Sequence, residues 1–137
     1  MKSQVIRIVG FAAVLVGSAW AQLAHPVVAD IPFDFTVGKT TLAAGEYQVR
    51  TQQPGVLRIA TADGKHTALI LSTPKISRKP PAESTLMFNR YGDRYFLSQV
   101  LTAGSQTGVE LRKTSAEVEI AKRTNDRQDT AIVARQR

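Results

Sequence analysis

Val56-Leu-Arg-Ile-Ala-Thr61, Ala62-Asp63-Gly64-Lys65-His66 and Thr67-Ala-Leu-Ile-Leu-Ser72 are the residues whose reading decides the fold. Two runs rich in β-branched and aliphatic residues flank an Asp-Gly pair. Asp-Gly between such runs predicts a tight hairpin turn, because that turn needs positive φ at its central residues. Ala68-Leu69-Ile70-Leu71 has no polar alternation, so the second run reads as a central strand buried on both faces.

The β pattern extends in both directions from this hairpin. Upstream, Ile31, Phe33, Phe35 and Val37 alternate with Pro32, Asp34 and Thr36, which puts four apolar groups on one face of a strand. Pro32 cannot donate to a ladder and belongs at a strand start or edge. Gly38-Lys39 and Ala43-Ala44-Gly45-Glu46 are turns, Tyr47 to Arg50 alternates again, and Pro54-Gly55 is a further turn. Downstream, residues 73–83 hold three prolines and read as a long linker, with Lys75, Arg78 and Lys79 making it a candidate anion-contact loop.

Ser84–Arg90 and Arg94–Leu101 form a second hairpin around Gly92-Asp93, with a type II′ turn. Its expected register sets Phe88 against Leu97, Arg90 against Tyr95 and Leu86 against Gln99, with Asn89–Phe96 and Met87–Ser98 on the other side. Arg90 over Tyr95 gives a cation–π contact. Thr114-Ser-Ala-Glu117 matches a capping box and predicts a helix over 115–124, lying on the surface because its apolar stripe is narrow. Thr130–Ala134 is expected as a last short strand.

The sum is an all-β, mainly antiparallel fold: a β-sandwich or open barrel of seven to eight short strands with one short C-terminal helix. The N-terminal segment belongs to none of it. Lys2 and Arg7, an apolar run from Ile8 to Val16, and Ala19-Trp20-Ala21 have the layout of a signal peptide cleaved after Ala21. That apolar run is shorter than the roughly 20 residues a bilayer span needs, so no transmembrane span is expected after processing. Val27-Val28-Ala29 offers a second cleavage site. The expected organisation is a signal peptide over 1–21, a flexible lead-in over 22–30 and one β-rich domain over 31–137, in a secreted or periplasmic protein.

Composition narrows the chemistry. The 137 residues include no cysteine, so thiol catalysis and cysteine-type metal sites are excluded, and the core must hold without disulfides. Taking Lys2 and Arg7 from 18 basic residues leaves 16 against 11 acidic, a net +5 for the processed chain. This charge suits anionic envelope components such as lipid, lipopolysaccharide or polysaccharide. Nucleic acid is a poor partner for an exported chain.

His25 and His66 are the only histidines, too few for a zinc site, and no serine sits in a strand–turn–helix elbow. No metal or cofactor is expected. The strand carboxylate Asp34, paired with a basic residue such as Arg94, is the candidate for acid/base work in a small hydrolase. Phe33, Phe35, Tyr47 and Phe88, with Arg90 and Tyr95 nearby, are candidate lining residues for a small-molecule or glycan pocket between the sheets. The leading expectation is a non-enzymatic structural or interaction protein of the envelope.

Ile31-Pro-Phe-Asp-Phe-Thr-Val-Gly38, Leu42-Ala-Ala-Gly-Glu-Tyr47, Phe88-Asn-Arg-Tyr-Gly-Asp-Arg-Tyr-Phe-Leu97 and Ser115-Ala-Glu-Val-Glu119 resemble a family of small exported bacterial β-rich proteins of unknown function. Such proteins often have Leu-Pro-Ala-Gly-Glu-Tyr at the second motif, where this chain has Ala43 in place of proline. The resemblance implies a secreted β-rich protein and no catalytic role.

Overall fold

A computed structural model describes residues 26–136 of the chain. Residues 1–25, with the expected signal peptide and His25, lie outside the described residues. The elements in chain order are β1 (Val27–Ile31), β2 (Phe35–Val37), β3 (Thr40–Leu42), β4 (Gly45–Gln53), β5 (Val56–Ala60), β6 (Thr67–Ile76), β7 (Ser84–Tyr91), β8 (Arg94–Leu101), β9 (Thr107–Leu111), α1 (Ser115–Arg123) and β10 (Arg127–Gln136).

The fold is all-β with one short helix. Eight strands form a closed wall in the order β8-β7-β10-β1-β4-β5-β6-β9, and β9 pairs back to β8. The barrel is closed where an open one was among the expectations, so none of these strands is left at a sheet edge along its whole length. β2 and β3 form a hairpin beside it. β2 runs parallel to the first half of β8, with Thr36 opposite Phe96. β9 takes the second half, with Gln99 opposite Glu110 and Val100 opposite Val109.

An eight-stranded barrel is narrow enough for side chains to fill. Phe35, Phe88, Leu57, Ile59, Leu86 and Val100 are all fully buried inside it. Alternation along the strands delivers them: Leu57 and Ile59 point inward from β5, Leu86 and Phe88 from β7.

Several expectations needed correction. Residues 27–30, expected as the end of a flexible lead-in, belong to β1, paired to β4 along its length and to β10 at Val27 and Val28. Val27, Val28 and Ala29 are buried. The single strand expected over Ile31–Val37 is two, because the chain bends at residues 32–34. Ile31 faces the core from the wall, and Phe35 and Val37 face it from the hairpin beside it.

β6 continues through Pro74 to Ile76, where a linker was expected. The Ser72 N–H donates to the Gly55 carbonyl, on the β5 side. Pro74 has the same parity, so its missing N–H falls on that side, beyond the end of β5. The β9 ladder from Ser72 to Ile76 is untouched. The last strand spans Arg127–Gln136 and joins β7 to β1, longer than the expected Thr130–Ala134.

The two hairpins differ in how closely they follow their sequences. Gly92 has φ +61° and Tyr91 pairs with Arg94, as the type II′ reading requires. The Asp63-Gly64 hairpin pairs Ala60 with Thr67, but only Gly64 has positive φ. The loop is wider than a two-residue turn. The Asp63 carboxylate accepts from the Thr61 hydroxyl and the Lys65 N–H, and this holds its pKa below the ordinary aspartate value.

In the second hairpin a bulge between Met87 and Phe88 shifts the far half of the register. Phe88–Leu97, Asn89–Phe96 and Arg90–Tyr95 stand as expected. Leu86 then meets Val100, and Met87 meets Gln99, in place of the expected Leu86–Gln99 and Met87–Ser98. The bulge lets Val100 face inward, where it is fully buried, and keeps the polar Gln99 out of the interior.

The β8–β9 seam rests on a close approach. A Cβ at Gly108 would lie 2.7 Å from the Val100 carbonyl oxygen. Gly108→Ala is expected to cost about 1–3 kcal/mol by forcing the two strands apart. Thermal or urea unfolding of the variant checks this, and a neutral effect would show that the seam tolerates a wider spacing.

Candidate functional site

The aromatic residues expected to line a pocket mostly fill the barrel. Phe35 packs edge-on against Tyr47 and Phe88, with ring centroids 5.2 and 5.5 Å apart, and all three rings are buried. Phe33, in the bend between β1 and β2, lies edge-on over Phe88 at 5.0 Å and stacks on Tyr95 at 3.7 Å. Arg90 and Tyr95 share the inward face with Phe88 and Leu97, and the guanidinium carbon sits 5.4 Å from the Tyr95 ring centre. Phe33, Tyr95 and Arg90 therefore close over one end of the interior.

Asp34 has a structural task. Its carboxylate accepts from the Ala44 N–H at 3.0 Å, and the Tyr47 hydroxyl donates to the Ala43 carbonyl at 2.6 Å. These bonds tie the Ala43–Glu46 turn. Burial, then the nearby Asp34 charge, pushes the Tyr47 phenol above its ordinary pKa. Asp34 and Arg94 line one shallow depression of about 120 Å³. No ion pair joins them among the described residues, and Arg94 lies over the Phe96 ring at 5.4 Å. His66 is exposed in the hairpin loop.

The basic residues of 73–83 are dispersed in role. Lys75 pairs with Glu110 on β9 at 3.9 Å, and the Arg78 carbonyl accepts from Gln106 at 3.4 Å. The exposed Lys79 has no ion pair among the described residues. The segment is pinned to the β8–β9 connection by Ser77 N–H to Gln106 O and Gly104 N–H to Pro81 O.

Two features escaped the sequence reading. The first is a buried polar cluster under α1. Thr114 caps the helix as expected, its hydroxyl accepting from the Glu117 N–H at 3.3 Å. The Glu117 carboxylate, however, turns toward the sheet and accepts from Asn89 Nδ2 and the Tyr91 hydroxyl, each at 3.3 Å. Glu117 is only 3% exposed, while Val118 is 39% exposed. The helix thus docks through a carboxylate, not an apolar stripe. Burial, then the Glu117 charge, pushes the Tyr91 phenol above its ordinary pKa.

The second is a groove of about 390 Å³ between β6, the β2–β3 turn and the start of α1. Leu69, Ile70 and Leu71 form its apolar side, and Lys39, Arg112 and Lys113 its basic side. Ile70 points in toward the core, under Gly38. Leu69 and Leu71 point outward and are 59% and 62% exposed, so the strand expected to be buried on both faces is buried on one. Arg58 stands opposite Leu69 on β5, and Arg50 opposite Arg58 on β4. Among the described residues these five cations make no ion pair. The unalternating run 68–71 beside Arg112-Lys113 was the available signal.

Set against known proteins, the chain matches no protein-family model, no curated protein and no solved structure. Among the described residues no helix is long and apolar enough to cross a membrane.

Removing the Glu117 carboxylate leaves Asn89 and Tyr91 buried without their shared acceptor. Glu117→Ala is expected to lower stability by about 1–3 kcal/mol, and Glu117→Gln, which keeps an acceptor oxygen, by less. Tyr47 and Tyr91 add a pH signature. The folded phenols keep their protons longer than the unfolded ones, so their contribution is intact below pH 10 and is lost as pH rises beyond it. Unfolding curves taken from pH 8 to 11 should show stability falling at the alkaline end, less steeply in Tyr91→Phe. An unchanged slope in that variant would remove Tyr91 from the account.

Proposed function

We propose that the chain is an exported, non-enzymatic binding protein of the bacterial cell envelope, secreted or periplasmic, that engages its partner through the outer wall of the barrel. The observation that carries this reading is a contrast. The interior is occupied by packed rings and aliphatic groups, while the outer wall bears a groove that joins exposed leucines to cations with no ion pair among the described residues. A pocket between the walls would need Phe35, Tyr47 and Phe88 at a surface, and they are buried. Anionic envelope components fit the net positive charge, and the resemblance to small exported proteins points to the same compartment.

The leader-like segment sets the export expectation, and β1 bears on where processing falls. A cut after Ala29 would discard Val27, Val28 and Ala29, all of them buried. A cut after Ala21 leaves the whole barrel. A chain starting at Gln22 should unfold cooperatively, and one starting at Asp30 should lose at least about 3 kcal/mol of stability. Sequencing the N-terminus of the exported protein should read Gln22; a start at Asp30 would refute this assignment.

The non-enzymatic reading is tested on the same chain. Incubation with ester, glycoside and peptide substrates should give no turnover above buffer. Turnover that disappears in Asp34→Asn would overturn it in favour of the hydrolase expectation.

A further inference from the structure

We infer that the groove beside β6 is a docking site for an anionic lipid bilayer, with Leu69 and Leu71 seated at the boundary between headgroups and acyl chains and Lys39, Arg58, Arg112 and Lys113 against the lipid phosphates. The inference rests on the proposed envelope-binding function and names the partner of that surface.

Three observations support it. The first is the outward placement of two adjacent same-face leucines, Leu69 and Leu71, on a strand whose other face already supplies the core. Large apolar groups exposed side by side and rimmed by polar residues mark an interaction surface. The second is the uniform sign of the rim. Lys39, Arg112 and Lys113 line the groove, Arg58 lies across the ladder from Leu69, and among the described residues no acidic side chain lines the groove. The third is the Arg50–Arg58 pair, set directly opposite each other on β4 and β5 with no carboxylate ion-paired to either among the described residues. Like charges across a ladder repel, and a plane of phosphates relieves the repulsion.

The combination selects the bilayer among anionic partners. A hydrophilic polyanion would use the cations and leave both leucines in water. A second copy of the chain would cover the leucines but bring like charges together across a two-fold axis. A bilayer surface satisfies both halves, since peripheral attachment adds buried apolar area to attraction for anionic headgroups. The barrel supplies its own control. Val133 on β10 is as exposed as Leu69, and β10 lies four strands from β6 in either direction around the eight-stranded wall.

The test is sedimentation with vesicles, using the chain from Gln22 onward. That chain keeps every described residue of the barrel and lacks the apolar leader, which could bind lipid on its own. Vesicles of phosphatidylcholine alone are compared with vesicles containing phosphatidylglycerol, at low and high salt, with dextran sulfate as the soluble polyanion. Binding is expected to the phosphatidylglycerol vesicles and to weaken with salt. Leu69→Ser and Leu71→Ser should each weaken it by about tenfold, and neutralising Lys39, Arg112 or Lys113 by about fivefold per charge. Val133→Ser should change nothing. Circular dichroism confirms that each variant is folded; the mutated side chains are exposed, so folding is expected to survive.

Equal binding to both vesicle types, or binding unaffected by the leucine substitutions, overturns the inference. So does the absence of vesicle binding. If the protein then binds dextran sulfate with the leucines irrelevant, the bilayer is the wrong partner and the envelope-binding reading stands. Substrate turnover would instead overturn that reading itself.

Discussion

The fold depends on a short contact between β8 and β9. Two residue pairs, Gln99–Glu110 and Val100–Val109, close the barrel. Without them the second half of β8 and one side of β9 would be open edges, and the inward faces of Val100 and Val109 would meet water. A chain with no disulfide has no covalent tie to compensate. Closure must come from backbone pairing and a filled interior. Gly108 permits it by letting the strands approach where a side chain would strike the Val100 carbonyl. The bulge at Met87/Phe88 serves the same end, turning Val100 inward at the point where β9 must meet it.

Closure also explains the importance of the two chain ends of the domain. β1 and β10 are distant in sequence, yet they lie side by side near the middle of the wall. Each has a neighbour on both sides. Arg135 on β10 reaches Asp30 on β1 and Glu46 on β4, which tightens the exposed side of this junction. The end of a segment that reads as a flexible lead-in, and a stretch that reads as one last short strand, thus become central strands.

The local chemistry of the sequence carried most of the element types. Period-two alternation at Tyr47–Arg50, the Gly92-Asp93 turn, and Thr114 as helix cap all express themselves in the structure because neighbours alone determine them. Three kinds of feature were not legible. Pro74 within a strand depends on which side of β6 has lost its partner, a fact about β5. The register beyond Met87 depends on a bulge that only the distant β9 requires. Glu117 has the spacing of a capping residue, and nothing nearby in sequence reveals that Asn89 and Tyr91 wait across the sheet for its carboxylate. The aromatic residues were legible as a cluster, but sequence could not distinguish rings that line a space from rings that fill it.

The run Ala68-Leu-Ile-Leu71 joins these lessons. An apolar run without alternation offers two readings: a strand buried on both faces, or a strand with one face in the core and one facing a partner outside the chain. Sequence favours the first, because a domain ordinarily covers its own leucines. The closed barrel excludes it here, since a single wall has one interior and nothing among the described residues lies over Leu69 and Leu71. The cost of leaving them in water is borne by the isolated domain. Lys39, Arg58, Arg112 and Lys113 share that part of the wall, and mutual repulsion adds to the cost. Apolar exposure and like-charge crowding are each unfavourable alone, and one anionic, apolar-backed surface relieves both.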